Sequence, residues 1–155
     1  MGKPSRRMPR EDAVNLLKEG TYGVLSVATK EGIPYGVPIN YFYVPEENAI
    51  YFHSLIRGRK LDFLKENNQV SFVVVANEKI MPERFVTHYD SVMLTGRASF
   101  LTDDGEKVKR LVQLCQALAP EATERRNAVI QKQLSAVAIV KIKIEEITGK
   151  RNRDE

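Results

Sequence analysis

The 155-residue sequence predicts one α+β domain built on a small antiparallel barrel of about six strands. Three observations carry this. Short β-branched and aromatic runs are separated by turn-length loops, one helix-length segment interrupts them, and two helical stretches stand together before a last strand.

The first element is a short amphipathic helix over residues 9–19, with Ala13, Leu16 and Leu17 on one side, Glu11 and Asp12 in its first turn and Gly20 as its stop. Pro9 suits the first helical position, and Met8 before it offers no capping oxygen, so this end should fray. Strand-like runs follow at residues 22–29, 35–44 and 49–53, divided by the turn signals Lys30-Glu31-Gly32-Ile33-Pro34 and Pro45-Glu46-Glu47-Asn48. Residues 59–66 set Leu61 and Leu64 three apart, as a helix does, and residues 69–76 return to a β-branched strand. Met81-Pro82-Glu83-Arg84 is too short for a linker and falls between strands of one sheet. The run 89–100 is a further strand whose internal Gly96 signals a bulge or a close approach. Helices over 104–118 and 123–132 are broken at Ala119-Pro120. A last strand covers 136–144, and the charged end from Gly149 should be loose. The organisation expected is a basic flexible arm over residues 1–8, a barrel domain over 9–150 and a charged tail over 151–155.

Charge and composition narrow the function. The net charge of +4 resides in the first ten residues, where Lys3, Arg6, Arg7 and Arg10 stand without an acid. The remainder is neutral, which argues against a nucleic-acid-binding face despite a pI near 9.2. No window approaches the roughly 20 apolar residues of a membrane span, and no apolar run follows the basic start as in a secretory signal. Cys115, the single cysteine, stands in an apolar helical stretch and reads as a small buried hydrophobe. A cytoplasmic setting is the expectation.

The most informative segment is Tyr51-Phe52-His53-Ser54-Leu55-Ile56-Arg57-Gly58-Arg59-Lys60, a strand ending in His-Ser, a bend, and a helix that opens on two cations. Cations at a helix N-terminus oppose the macrodipole, so a solvated helix start is disfavoured. Free N–H groups, the Ser54 hydroxyl, Arg59, Lys60 and a glycine that lets backbone come close are what a phosphate needs. His53 and His88 have no second ligand at metal spacing, so no metal is expected. Ser54, His88 and Asp90 could be drawn as a triad, but no nucleophile elbow supports one. In Tyr35-Gly36-Val37-Pro38-Ile39-Asn40-Tyr41, Pro38 removes a ladder donor, which suits a sheet edge able to offer backbone groups to a flat polar ring.

These segments, with Tyr22-Gly23-Val24-Leu25-Ser26, Tyr89-Asp90-Ser91-Val92, Gly96-Arg97-Ala98 and Glu146-Ile147-Thr148-Gly149-Lys150, resemble the pyridoxamine 5′-phosphate oxidase-like flavin proteins over residues 9–150, in the branch related to Nim-type nitroimidazole resistance reductases. The resemblance implies an FMN-binding split barrel that works as a homodimer with the flavin between subunits. It implies that Ser54, Gly58, Arg59 and Lys60 meet the FMN phosphate and that His53 lies beside the flavin as the catalytic candidate. It also implies that the backbone of Pro38, Ile39 and Asn40 faces the ring, and that Tyr89 and Ser91 close the site from the other subunit. FAD or haem are the less favoured ligands. The function implied is a reductase of a small-molecule electron acceptor such as a nitro compound. A non-catalytic flavin- or haem-binding protein is the alternative. Leu55-Ile56-Arg57 departs from the loop common in relatives, and the substrate-side arginine and histidine of true pyridoxamine phosphate oxidases are missing, so vitamin B6 synthesis is not expected.

Overall fold

The computed structural model describes residues 6–153. Seven strands form one antiparallel sheet: β1 (Tyr22–Ala28), β2 (Pro34–Asn40), β3 (Phe42–Val44), β4 (Ala49–Leu55), β5 (Gln69–Met81), β6 (Val86–Phe100) and β7 (Val137–Asn152). Helices α1 (Arg10–Glu19), α2 (Arg59–Glu66), α3 (Asp104–Leu118) and α4 (Arg126–Gln133) complete the α+β fold. The strand order is β2-β1-β5-β6-β7-β4-β3. Its two edge strands, β2 and β3, are consecutive in the chain, so the sheet curls until its edges meet at Tyr41 and a split barrel results.

That corner explains why seven strands replace the six expected. The run 35–44 reads as one strand, yet Tyr41 turns out of it: Tyr22 pairs with Asn40 on one side of the break, and Phe42 pairs with Tyr51 on the other. The Tyr41 backbone N–H donates to Thr21 O at 3.1 Å, its hydroxyl donates to Leu17 O, and its ring meets Phe72 edge-on at 5.0 Å. A fully buried tyrosine with its hydroxyl satisfied is a strong reason for the chain to turn there.

The last strand also exceeds its expected extent. Register shifts between Thr95 and Gly96, where Thr95 faces Glu146 and Gly96 faces Ile144. Glu145 is therefore the extra residue of a bulge, and the doublet Glu145-Glu146 that seems to end the strand only reverses its phase. Gly96 is required there, because a Cβ would lie 2.3 Å from Lys143 O. The strand continues to Asn152, so residues 149–152 are paired with β6 rather than loose. The start of α1 has no side-chain cap, with Pro9 at the N-cap rather than the first helical position, but the residues before it are anchored: buried Met8 donates its N–H to Gly149 O at 2.9 Å, and Arg7 forms an isolated β-bridge with Lys150. The rest of the expected basic arm, residues 1–5, lies outside the described residues.

Two apolar clusters hold the barrel. The larger joins Leu16 and Leu17 of α1 and Leu61 and Leu64 of α2 to the inward residues Leu25, Phe72, Val92 and Ile142. The smaller seats α3 and α4 on β3 and β4 through Leu111, Leu114, Ile130 and Tyr51, with half-buried Cys115 against it. Buried Arg110 ties α3 down, its guanidinium 4.3 Å over the Tyr51 ring and paired with Glu47. Met81–Arg84, rejected as a linker from its length, forms the turn between β5 and β6. No helix of the described residues is long and apolar enough to cross a membrane.

Candidate functional site

The segment from the end of β4 to the start of α2 builds a concentration of positive charge. His53 and Ser54 are adjacent on β4, opposite Ile139 and Ala138 of β7. Alternation along the strand leaves His53 exposed and Ser54 buried. Leu55 and Ile56 then stand exposed, at 69% and 48%, before Gly58 at the N-cap of α2. Gly58 has φ +151°, and a Cβ built there would meet nothing within 4 Å. Only glycine holds this backbone easily, and the space before it is open.

Arg59 and Lys60 follow in the first turn, where the first amide N–H groups of the helix lack intrahelical acceptors. Among the described residues, no ion pair involves Arg57, Arg59 or Lys60. What holds Arg59 is an aromatic ring: its guanidinium carbon lies 5.4 Å from the centroid of Tyr35, and Tyr35 lies 5.5 Å from Phe63 of the same helix. Tyr35 is on β2, so this contact joins the cationic helix start to the strand that carries Pro38, Ile39 and Asn40. Although the side chain is exposed, the groups packed around it partly desolvate the His53 ring and pull its pKa below the ordinary value, and the nearby Lys60 ammonium adds to the effect. The imidazole is therefore neutral at neutral pH.

β2 is an edge strand, as Pro38 suggests. Pro38 and Asn40 are exposed on it while the Ile39 side chain points into the core, so Ile39 can meet a ligand only through its backbone. The Asn40 amide donates to Thr21 O at 3.0 Å. Pro38, Ile39 and Asn40 thus lie on β2, His53 and Ser54 near the end of β4 and Gly58, Arg59 and Lys60 at the start of α2, with Tyr35 linking β2 to α2. The fold does not bring Tyr89 and Ser91 to them. Ser54 faces Ala138 at the start of β7, whereas Ser91 faces Lys150 and Tyr89 faces Asn152 at its end. The Ser91 hydroxyl is buried and donates to Lys150 O at 2.9 Å, which leaves it only as an acceptor. The sequence carries no local signal of the Tyr35–Arg59 contact, since only the fold brings β2 and α2 together. Among the described residues, no group of three His, Cys, Asp or Glu side chains gathers to hold a metal ion.

With this geometry in view, the comparisons with known proteins are decisive for the family. Residues 9–151 match the pyridoxamine 5′-phosphate oxidase family. The chain belongs to that family. No curated protein is a detectable match. Similar solved structures include a candidate 5-nitroimidazole antibiotic resistance protein from Bacteroides thetaiotaomicron, 21% identical over 94% of this chain and 86% of that one, with a TM-score of 0.77. The flavocytochrome Anf3 from Azotobacter vinelandii is 22% identical over 99% of this chain and 73% of its own, at TM-score 0.79. An FAD- and haem-binding protein from Mycobacterium smegmatis is 19% identical over 96% and 74%, at TM-score 0.77. At these identities the likeness concerns the fold.

The donor set fits a flavin mononucleotide. A phosphate dianion needs several N–H donors, a hydroxyl and cations not already neutralised by carboxylates, and the start of α2 with Ser54 has these residue types, neither Arg59 nor Lys60 being ion-paired among the described residues. A flat ring carrying amide-like edges needs backbone donors and acceptors, which an edge strand supplies.

Proposed function

We propose that this protein is an FMN-dependent oxidoreductase that reduces small electron-poor molecules such as nitro compounds, working as a homodimer with its sites between protomers. The observation that carries the reading is the Arg59–Tyr35 contact, which sets a cationic helix start, without acidic partners among the described residues, beside an edge strand. Ser54, Arg59, Lys60 and the α2 amides would bind the phosphate, and Pro38, Ile39 and Asn40 would orient the ring by their backbone. Bound FMN would supply the electron-transfer chemistry. His53, neutral and exposed beside this junction, would present an N–H to the acceptor and shield it from bulk water. Nitro reduction to the nitroso level consumes two electrons, drawn from an external reductant, and two protons, and releases water.

Two features favour a second copy of the chain. Tyr22, Val24 and Val75 lie on one outward face of β1 and β5, exposed by 62%, 43% and 55%, an apolar surface of the kind that partners cover. Cross-strand register places Ser91 of β6 on that same face, opposite Val75, and alternation adds Tyr89. The test is to load the protein with FMN, reduce it without oxygen and mix it with a nitroaromatic acceptor. The expected result is faster reoxidation than that of free reduced FMN at equal concentration. Tight FMN binding with reoxidation no faster than free FMN would replace the enzyme by a flavin carrier.

A further inference from the structure

The first residues of β6 are held by a cluster that the proposed chemistry does not use. Asp90 is 5% exposed and accepts three hydrogen bonds: from Asn77 Nδ2 at 2.6 Å, Arg151 Nε at 2.8 Å and Arg153 Nη2 at 2.7 Å. Arg151 also reaches Asp12 of α1 at 3.2 Å, and Arg153 donates to Tyr89 O at 3.0 Å. Asn152 donates to Thr87 O at 2.7 Å. Asn77 sits at φ +55°, where the register of β5 on β6 shifts, so strained backbone aims its amide at the carboxylate. Burial raises the Asp90 pKa, but these donors and charges more than offset it and leave the carboxylate ionised.

Such a cluster is a costly way to secure a strand. Burying a carboxylate carries a large desolvation cost before pairing, and apolar side chains of similar volume do the structural task as well. Its position is informative. Alternation along β6 puts Asp90 on the inward face with Val92 and Leu94 and sets Tyr89 and Ser91 on the opposite face, where Tyr89 is half-buried and Ser91 is 7% exposed. The cluster thus fixes the Tyr89–Ser91 backbone from behind, while Lys150 lies on the other side, its carbonyl oxygen accepting from the Ser91 hydroxyl and its ammonium 5.8 Å from the Tyr89 ring centroid.

We propose that Asp90, clamped by Asn77, Arg151 and Arg153, is a positioning residue that fixes Tyr89 and Ser91 as the wall one protomer presents to the FMN held by Ser54, Arg59 and Lys60 of the other. The inference rests on the homodimeric flavin reading and deepens it, because it assigns a role to the C-terminal end of β7.

Asp90→Asn keeps the shape and removes the charge, and it should weaken FMN binding by about tenfold, the worth of one hydrogen bond. Arg153→Ala removes one donor of three at a 42% exposed side chain, and serves if Asp90→Asn does not fold; it should weaken binding in the same direction. The deciding experiment mixes chains. Differently tagged Asp90→Asn and Arg59→Ala/Lys60→Ala chains are co-expressed, and the mixed dimer is titrated with FMN. Sites shared between protomers leave one site with both defects and the other with neither, so half of the sites should bind with wild-type affinity. If all sites in the mixed dimer are weakened, or if folded Asp90→Asn binds FMN as the wild type does, the inference is overturned. A wild-type protein that binds no FMN, or runs as a monomer, overturns the underlying reading and this one with it.

Discussion

Replacing Arg59 and Lys60 together by alanine separates phosphate recognition from everything else the α2 junction does. A charge-assisted hydrogen bond contributes roughly 1.5–3 kcal/mol. Arg59 is exposed and Lys60 half-exposed, so the lower end applies to each, about 3 kcal/mol for the pair, or on the order of a hundredfold in Kd. Stability should barely change. The variant loses the Arg59–Tyr35 contact, about 0.5–1 kcal/mol at an exposed site, and is relieved of two cations that oppose the helix dipole by a few tenths of a kcal/mol each. The assay is flavin fluorescence quenching with two ligands, FMN and riboflavin, which differ only by the phosphate. FMN affinity should fall about a hundredfold while riboflavin affinity and Tm stay near wild type. Equal losses for both ligands, or none for FMN, would refute the assignment of the phosphate to this helix start.

Three further outcomes follow from the geometry. His53→Ala should retain FMN affinity and lower nitro-acceptor turnover by about a hundredfold, the lower end for a group that handles protons; any pH dependence of the wild-type rate that the variant lacks should lie below the ordinary His pKa of 6.5, because the folded pKa is depressed, and turnover unchanged in the variant removes His53 from the chemistry. Hydrogen bonding from Tyr51, working against burial and helped by Lys141 and Arg110, holds Glu47 down at about 2 from 4.5, so its contribution to stability is present above 4.5 and lost as pH falls towards 2; urea unfolding across that window should show a shallower acid loss in Glu47→Gln, and an identical slope would contradict the network. Gly96→Ala drives a Cβ to 2.3 Å from Lys143 O, which should cost about 3 kcal/mol and lower Tm by several degrees; an unchanged Tm would mean the bulge yields freely.

The fold was legible wherever local pattern and tertiary pairing agree. The bounds that the sequence suggests for the helices Arg59–Glu66 and Asp104–Leu118 match those observed, since leucine spacing, the bend at Gly58 and the break at Ala119-Pro120 act within a few residues; the cap at Asp103 is seen only in the structure. Asp103 accepts from the Glu106 amide at 2.9 Å. Two boundaries were not legible, and both lie where pairing changes partner or phase. Tyr41 carries no turn signal and breaks its strand because its hydroxyl finds Leu17 O across the core. Glu145 looks like a strand end because a bulge is invisible until Gly96 faces it. The candidate site divides in the same way. Arg59, Lys60 and Gly58 announce an anion through a local conflict with the helix dipole, whereas Tyr35 and the cluster at Asp90 join residues far apart in the chain, as in the contact of Arg153 with Asp90 at 2.7 Å.

The central claim is that this chain holds FMN at the junction of β2, β4 and α2. Calorimetric titration of the purified, flavin-free protein with FMN tests it most directly. The account predicts saturation at an equimolar amount of FMN per chain, with heat that collapses in Arg59→Ala/Lys60→Ala. A protein that takes up no FMN, or takes it up equally well in that variant, would contradict it.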